Sequence, residues 1–308
     1  MITYERLKAQ PRRFLALTGL TRVEFQDLLR AFQKAHDAIY PAARTVTGQP
    51  RKRWVDAGRR GRLSCLEDKL LFVLVYQKTY PLQVVLGELF GMGTSQANYW
   101  LQRLLPVLRA ALDDLGVMPA RDGQGLASLR CPASELKKLI IDGTERRRQR
   151  PKNPEKQVLF YSGKKKAHTE KNVIVVNATS ERVLFLSATY AGKVHDKKIA
   201  DQEQIAYPGE AVLYKDAGFQ GYEPAVKKTC QAKKKPRGRE LTEDEKRANR
   251  KLSSVRVFVE HALAGVKRSR IVKDTFRNQK DGLSDLAIDI SCGLHNLRIR
   301  HRKHGLEL

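Results

Sequence analysis

The sequence predicts an α/β protein, a mixed sheet flanked by helices, preceded by an all-α region. Three observations carry that prediction. The first 115 or so residues have helical periodicity without strand patterns, short β-branched and apolar runs crowd residues 136–218, and helical patterns resume only between and after those runs. A length of 308 residues allows about two domains, placed here at 1–130 and 131–308.

In LTGLTRVEFQDLLRAFQKAHDAIY, Thr21 and Glu24 form a capping-box pattern, and Leu20 and Phe25 stand where a hydrophobic staple would, which predicts a helix over about 22–38. A basic stretch follows, RTVTGQPRKRWVDAGRRGR, where Arg44, Arg51, Lys52, Arg53, Arg59, Arg60 and Arg62 face the single acid Asp56. It reads as an arm against phosphate, with a solvated linker as the alternative. A helix over about 66–79 precedes Pro81, a second covers about 81–90, and GMG breaks before Thr94 caps a third. Two short helices joined by a tight glycine turn are a helix-turn-helix signature, here at about 64–110. On the third helix Ala97, Leu101, Leu104 and Leu108 make a core stripe, leaving Ser95, Gln96, Tyr99, Gln102 and Arg103 to contact bases and phosphates, with a purely structural three-helix unit as the alternative.

Strands are expected at LKKLIID (136–142), QVLFYSG (157–163), NVIVVNA (172–178), RVLFLSATY (182–190) and AVLYKDAG (211–218). GKKKAHTEKN at 163–172 reads as a basic hairpin turn, placing Lys164, Lys165 and Lys166 toward DNA, with plain solvent exposure as the alternative. HDKKIADQEQIA predicts a helix with Asp196 as its N-cap. TEDEKRANRKLSSVRVFVEHALAGVKRS predicts a long helix opened by a Thr242/Glu245 capping box, and a last helix is expected over about 281–300.

Composition limits what these elements serve. Lys and Arg number 59 against 33 Asp and Glu, a formal charge of +26, which points to a polyanionic partner. The longest apolar run, LLFVLVY at 70–76, is far short of the roughly 20 residues that span a bilayer. The N-terminus lacks a signal-peptide hydrophobic stretch. The expectation is therefore a soluble protein inside the cell, with nucleic acid rather than membrane as partner. Four scattered cysteines form no CxxC pair and read as reduced packing residues.

The carboxylates carry the chemistry. Asp142 ends the apolar run of the first strand and is followed by Gly143 and Thr144; Asp216 ends a later one and is followed by Ala217 and Gly218. If those strands are neighbours, both acids converge at one sheet edge. In SSVRVFVEHALAGVKRS, with Arg256 at zero, Glu260 falls near ~40° and Lys267 near ~20° around the helix, beside a stripe of Leu252, Val255, Val259 and Val266. Packed by that stripe, the helix would bring Glu260 to the aspartates, with Arg256 and Lys267 holding phosphates. A surface helix laced by ion pairs would show the same spacing. Three carboxylates make an oxygen-rich site for Mg²⁺ or Mn²⁺, two ions per site. Glu145 reads as part of a solvated loop, and His168 and His195 are not required as bases.

DGT at 142–144, KDAGF at 215–219 and the Arg256–Glu260–Lys267 spacing, in that order, resemble the DDE transposases of bacterial insertion sequences, in particular the insertion-sequence-five-like group and its Harbinger-type relatives. The helix-turn-helix region is similar too, so the resemblance spans roughly residues 17–300. It implies an RNase H-like core with Asp142, Asp216 and Glu260 as catalytic metal ligands. The implied activity is cleavage at the element's terminal inverted repeats and transfer of the 3′-hydroxyl to target DNA. The implied setting is the bacterial cytoplasm at the nucleoid, with the protein a homodimer on double-stranded DNA. A nuclease that no longer transposes and a catalytically silent DNA-binding regulator are the alternatives. One departure stands out: Ser253 occupies the position, three before the arginine, where related enzymes often carry Tyr, so a hairpin route is not implied.

Overall fold

The structure, a computed structural model, describes residues 1–41, 49–50, 62–126, 129, 131–235, 238 and 240–304. The backbone divides into two compact units, one of Met1–Met118, Arg268–Ile271 and the chain from Leu286 on, the other of Pro119–Lys267 and Val272–Asp285. The last helix (Leu283–His304) therefore counts mostly with the helical unit, whereas its place in the sequence put it with the strands. Its apolar residues Ile288, Ile290, Leu294 and Leu297 are buried there, and Ala287 O accepts a hydrogen bond from Gln77 Nε2 at 3.0 Å.

The first unit opens with α1 (Tyr4–Lys8), α2 (Pro11–Thr18) and α3 (Arg22–Ile39). The capping box at the start of α3 is made: Thr21 Oγ1 accepts from Glu24 N and the Glu24 carboxylate accepts from Thr21 N at 2.6 Å. The helix α4 (Leu66–Thr79) is buried on all sides from Leu70 to Gln77, as the axial helix of an all-α unit must be. Next come α5 (Gln83–Phe90) and α6 (Thr94–Asp114), joined through Gly91, Met92 and Gly93. Gly91 adopts φ +69°, and a Cβ on Gly87 would run into the Met92 carbonyl, so both glycines are needed for the tight turn. The cap of α6 is Gly93, in extended backbone, and not Thr94, which is already the first helical residue.

The second unit holds β1 (Lys138–Arg147), α7 (Pro154–Phe160), β2 (Tyr161–Ser162), β3 (Ala167–Asn177), β4 (Val183–Leu186), β5 (Tyr190–Ala191), α8 (Asp196–Glu203), β6 (Val212–Lys215), β7 (Lys228–Gln231) and α9 (Glu243–Val266). The sheet runs β2-β3-β1-β6-β7, with β4 and β5 also pairing with β3. It is mixed: β1 is antiparallel to β3 and parallel to β6, and β6 is parallel to β7. Leu139, Ile141, Val173, Val175, Leu213, Ile199 and Ala200 share a core on the α8 face, while α9 packs on β1, β3 and β6.

In this unit one expected strand changes and one strand is new. The run at 157–163 is helical up to Phe160 and only Tyr161–Ser162 is strand: Asn153 caps the turn by accepting from Lys156 N at 3.0 Å, and Pro154 is preset for the first helical position, which outweighs the apolar composition. The short strand β7, a polar KTCQ without an apolar run, was not legible in the sequence.

Candidate active site

In the parallel ladder, Lys138, Leu139, Ile140 and Ile141 face Val212, Leu213, Tyr214 and Lys215, and there it stops. Asp142 and Asp216 are the next residue on each strand, so both carboxylates emerge at one level where β1 and β6 part. Asp142 is not at a strand end. Antiparallel pairing with β3 carries β1 on to Arg147 and puts Asp142 opposite Ile174. Each carboxylate accepts the amide that follows it, Gly143 N at 2.8 Å and Ala217 N at 2.6 Å.

The KDAGF run explains itself locally. Lys215 is buried and braces the following loop through Tyr222 O and Glu223 Oε1. Asp216 caps a single 3₁₀ turn, Ala217–Phe219, and Phe219 anchors that turn in the core.

The helix α9 begins at the predicted Thr242/Glu245 capping box and buries Val259, Ala262 and Val266. Arg256 Nη1 lies 3.0 Å from Asp216 Oδ1. Lys267 ends the helix; burial holds its pKa below the ordinary lysine value, with Lys165 and Arg146 pressing the same way and Asp142 opposing them. Glu260 stands one turn past Arg256 on the same stripe, exposed. Among the described residues, no three His, Cys, Asp or Glu side chains stand close enough as placed to grip a metal ion. The two aspartates are brought together, and Glu260 is carried over the same sheet without joining them.

Burial pushes the Asp142 carboxyl up to about 6; Asp216 and Asp196 add to this, while the Gly143 amide and Arg256 pull the other way. Asp196 is the residue that sequence reasoning misplaced. His195 occupies the N-cap, without a side-chain bond, and Asp196 is the first residue of α8. Its carboxylate faces Gly143, where a Cβ would sit 2.9 Å from Asp196 Cγ, and Gly218, where a Cβ would lie 3.4 Å from Oδ2. Lys171 Nζ is 3.3 Å from its Oδ1. Gly143 directly after Asp142 and Gly218 two residues after Asp216 were the available signal, because a missing side chain marks a close approach.

A cavity of about 480 Å³ opens beside these acids, bordered by Gly143, Glu145, Asp196 and Gly218 and ringed by lysines that include Lys165 and Lys267. Glu145 lies in β1, not in a loop, and accepts from Thr169 Oγ1 at 2.6 Å. Lys164, Lys165 and Lys166 form the exposed turn of the β2–β3 hairpin.

In the other unit, α6 buries Ala97, Leu101, Leu104 and Leu108 and exposes Ser95, Gln96, Tyr99 and Gln102. Arg103 is half-buried, its guanidinium 3.8 Å from the Tyr40 ring centroid and 5.3 Å from that of Tyr99. Arg51, Lys52 and Arg53 lie outside the described residues. No helix among the described residues is long and apolar enough to cross a membrane.

Residues 141–296 match a family described as DDE superfamily endonuclease, and residues 61–114 match the helix-turn-helix of DDE superfamily endonuclease. A probable transposase for insertion sequence element IS702 from Microchaete diplosiphon is 24% identical over 288 residues, 94% of this chain and 95% of its own. No solved structure matches.

Proposed function

We propose, from the premise that the chain belongs to the DDE superfamily endonucleases, that it is an insertion-sequence transposase working in the bacterial cytoplasm. In this reading it binds the ends of its own element as a dimer, cuts phosphodiesters there and passes the freed 3′-hydroxyl to target DNA. The observation that carries the reading is the pairing of Asp142 with Asp216 at the end of the parallel ladder, under a helix that brings Arg256 to one and Lys267 toward the other.

The donor set suits a hard divalent cation. It is all oxygen, and Asp142, whose proton affinity is raised chiefly by burial, also feels the negative charge of Asp216 and Asp196, which a bound cation would offset. Asp142, Asp216 and, after movement of its exposed side chain, Glu260 would hold Mg²⁺ or Mn²⁺. Such ions activate a water or hydroxyl and stabilise the leaving oxygen. Lys267 and Lys165 hold the phosphate against the acids, and Arg256 offsets the charge of Asp216 before substrate arrives. The exposed face of α6, with Ser95, Gln96, Tyr99 and Gln102 and the half-buried Arg103 beside them, reads the element end. Arg51, Lys52 and Arg53, with Lys164 and Lys166, add contacts to the backbone.

The test is incubation of the purified chain with DNA flanking its own gene, with and without Mg²⁺, and mapping of strand breaks. Wild type should nick at element ends and join them to a second DNA. Asp142→Asn, Asp216→Asn and Glu260→Gln should each bind and not cut. Cutting by any one of the three removes that acid from the site, full cutting in EDTA removes the metal, and binding without cutting by wild type turns the reading into the silent regulator.

A further inference from the structure

We propose that a cleft in the helical unit, on the outward side of α3, binds a phosphate group carried on a nucleoside, either free or within a DNA strand. The helix α3 buries Phe25, Leu28 and Phe32 on one side. Arg22, Val23, Gln26, Asp27 and Arg30 fall within about 140° of the other side. That side of a packed helix is ordinarily flat and solvated. Here it floors a cavity of about 840 Å³, walled by Tyr4 and Lys8, by Leu115, and by Arg300 and His301 of the last helix, a size within the ~300–1,000 Å³ common to small-ligand sites. All of these residues belong to the helical unit. The cleft reaches α6 only at Leu115, its C-terminal cap, about 20–30 Å along the helix from Gln102 and Ser95, so it is separate from the base-reading face.

Charge says what enters. Four fixed cations, Lys8, Arg22, Arg30 and Arg300, border the cleft with a single acid, Asp27. Both oxygens of that acid are already engaged: Arg30 Nη2 donates to Oδ1 at 3.2 Å, Arg300 Nη2 donates to Oδ2 at 2.6 Å, and His301 Nε2 lies 3.1 Å from Oδ2. Burial by itself would raise the Asp27 pKa, but His301, Arg30 and Arg300 hold it below the ordinary carboxylate value. Asp27 thus gathers cations without making the cleft negative. Arg300 Nη1 also donates to Leu115 O at 2.9 Å, which fixes the guanidinium before any ligand arrives. Lys8 meets Glu5 at 2.6 Å, whereas Arg22 donates to Lys8 O at 3.2 Å and meets no carboxylate among the described residues. A recess in which cations outnumber acids four to one attracts an anion.

The walls say which anion. Guanidinium groups bind phosphate oxygens two at a time, and three of them on two helices can hold one phosphate from both sides. Beside them the lining turns apolar. Val23 is 70% exposed, and the Tyr4 ring is stacked on Phe25 at 5.1 Å and 13°, its hydroxyl accepting from Gln26 Nε2 at 2.5 Å. A fixed aromatic ring and an exposed valine suit a sugar and base, and a bare inorganic anion would use neither. A phosphate held between α3 and the last helix also ties together two elements of the helical unit, so binding should raise its melting temperature.

The experiment titrates the full-length protein with the fluorescent nucleotide MANT-ATP in EDTA, which keeps a metal–nucleotide complex away from the acids. Wild type should bind it and gain melting temperature. Arg22→Ala and Arg30→Ala should each weaken binding about 10-fold or more. Val23→Glu, which sets a carboxylate at an already exposed position, should abolish binding without lowering the melting temperature of the free protein. Lys267→Ala, in the other unit, should leave binding unchanged. Binding that survives an excess of duplex DNA assigns the site to a free nucleotide. Displacement by duplex, with one phosphate lost from the ethylation-interference pattern in Arg22→Ala, assigns it to a DNA strand. Absence of MANT-ATP binding, or equal affinity in wild type, Arg22→Ala and Val23→Glu, with an interference pattern that Arg22→Ala leaves unchanged, would overturn the site and leave these cations as ties between helices. Loss of binding in Lys267→Ala would place the nucleotide among the lysines beside the acids and overturn it as well.

Discussion

Arg256 Nη1 is 3.0 Å from Asp216 Oδ1, and the same guanidinium lowers the proton affinity of Asp142. One cation from α9 thus serves both aspartates. We predict that Arg256→Ala lowers the melting temperature of the metal-free protein at pH 8 by the equivalent of about 1 kcal/mol, modest because both partners are partly solvated. Mg²⁺ should then stabilise the variant more than wild type. Equal response to Mg²⁺ in the two proteins would separate Arg256 from the acids.

Asp142 gives a pH test. Its folded-state value, about 6, lies above the ordinary 3.8, so protonation favours the folded state. The stabilising contribution is complete below about pH 4 and is lost as pH rises through 6. Asp142→Asn, which mimics the protonated form, should therefore raise stability at pH 8 by about 2–3 kcal/mol without metal, and by little at pH 4. Thermal melts at both pH values decide it, and an equal effect at both would mean that charge is not the cause.

Gly143 and Asp196 make a third prediction. A Cβ at 143 would stand 2.9 Å from Asp196 Cγ, so Gly143→Ala should cost about 1–2 kcal/mol through forced repacking. Asp196→Ala in the same chain should recover most of that loss. If the double-mutant cycle shows no coupling, the two groups are not in contact. The carboxylate itself should matter for turnover, so Asp196→Asn should cut more slowly than wild type with unchanged DNA affinity.

The two stripes of α9 separate by paired measurements. Lys267→Ala should leave overall DNA affinity nearly unchanged, since one phosphate contact among many contributes little, and melting should move by at most ~1 kcal/mol. Cleavage should fall by orders of magnitude. Val259 is fully buried, and Val259→Asp should destabilise the second unit by more than about 3 kcal/mol by burying an unpaired charge. Nicking by Lys267→Ala at the wild-type rate would return this helix to a plain ion-paired surface.

On α6 the prediction divides Gln96 and Gln102 from Arg103. Each Gln→Ala should cost about 1–3 kcal/mol of discrimination between element-end and random DNA, with no change in melting. Arg103→Ala also removes a guanidinium stacked on Tyr40 at 3.8 Å, so melting should drop by about 1 kcal/mol. Equal weakening on both DNAs would place base reading elsewhere.

Helices with paired signals were legible in the sequence. The bounds of α4 and the capping boxes before Arg22 and Glu243 stand where Thr21/Glu24 and Thr242/Glu245 put them, because a cap is a local event between residues three apart. The level placement of Asp142 and Asp216 at the end of the β1–β6 ladder was legible for a similar reason, each following a strand run and standing within two residues of a glycine. What depends on distant partners was not. The extension of β1 past Asp142 is set by β3, some thirty residues on. The orientation of Asp196 goes with the absence of side chains at Gly143 in β1 and at Gly218 in the turn after β6. The helix α7 was missed because its apolar run resembles a strand until Asn153 and Pro154 are read as a helix start.

The helical unit takes part of its core from the far end of the chain. Gln77 Nε2, fully buried in α4, donates to Ala287 O and, at 3.3 Å, to Ser291 Oγ, and Arg109 Nε meets Asp289 Oδ2 at 2.8 Å. During synthesis the ribosome has therefore to finish the acid-bearing unit before the unit that carries α6 can close. A nascent chain released before residue 286 leaves Gln77 and the part of α4 that the last helix covers exposed, which makes it a substrate for proteolysis and not a stable helical unit. Chain order thus couples the two units at birth: by the time α6 has its complete support, Asp142 and Asp216 have already been made.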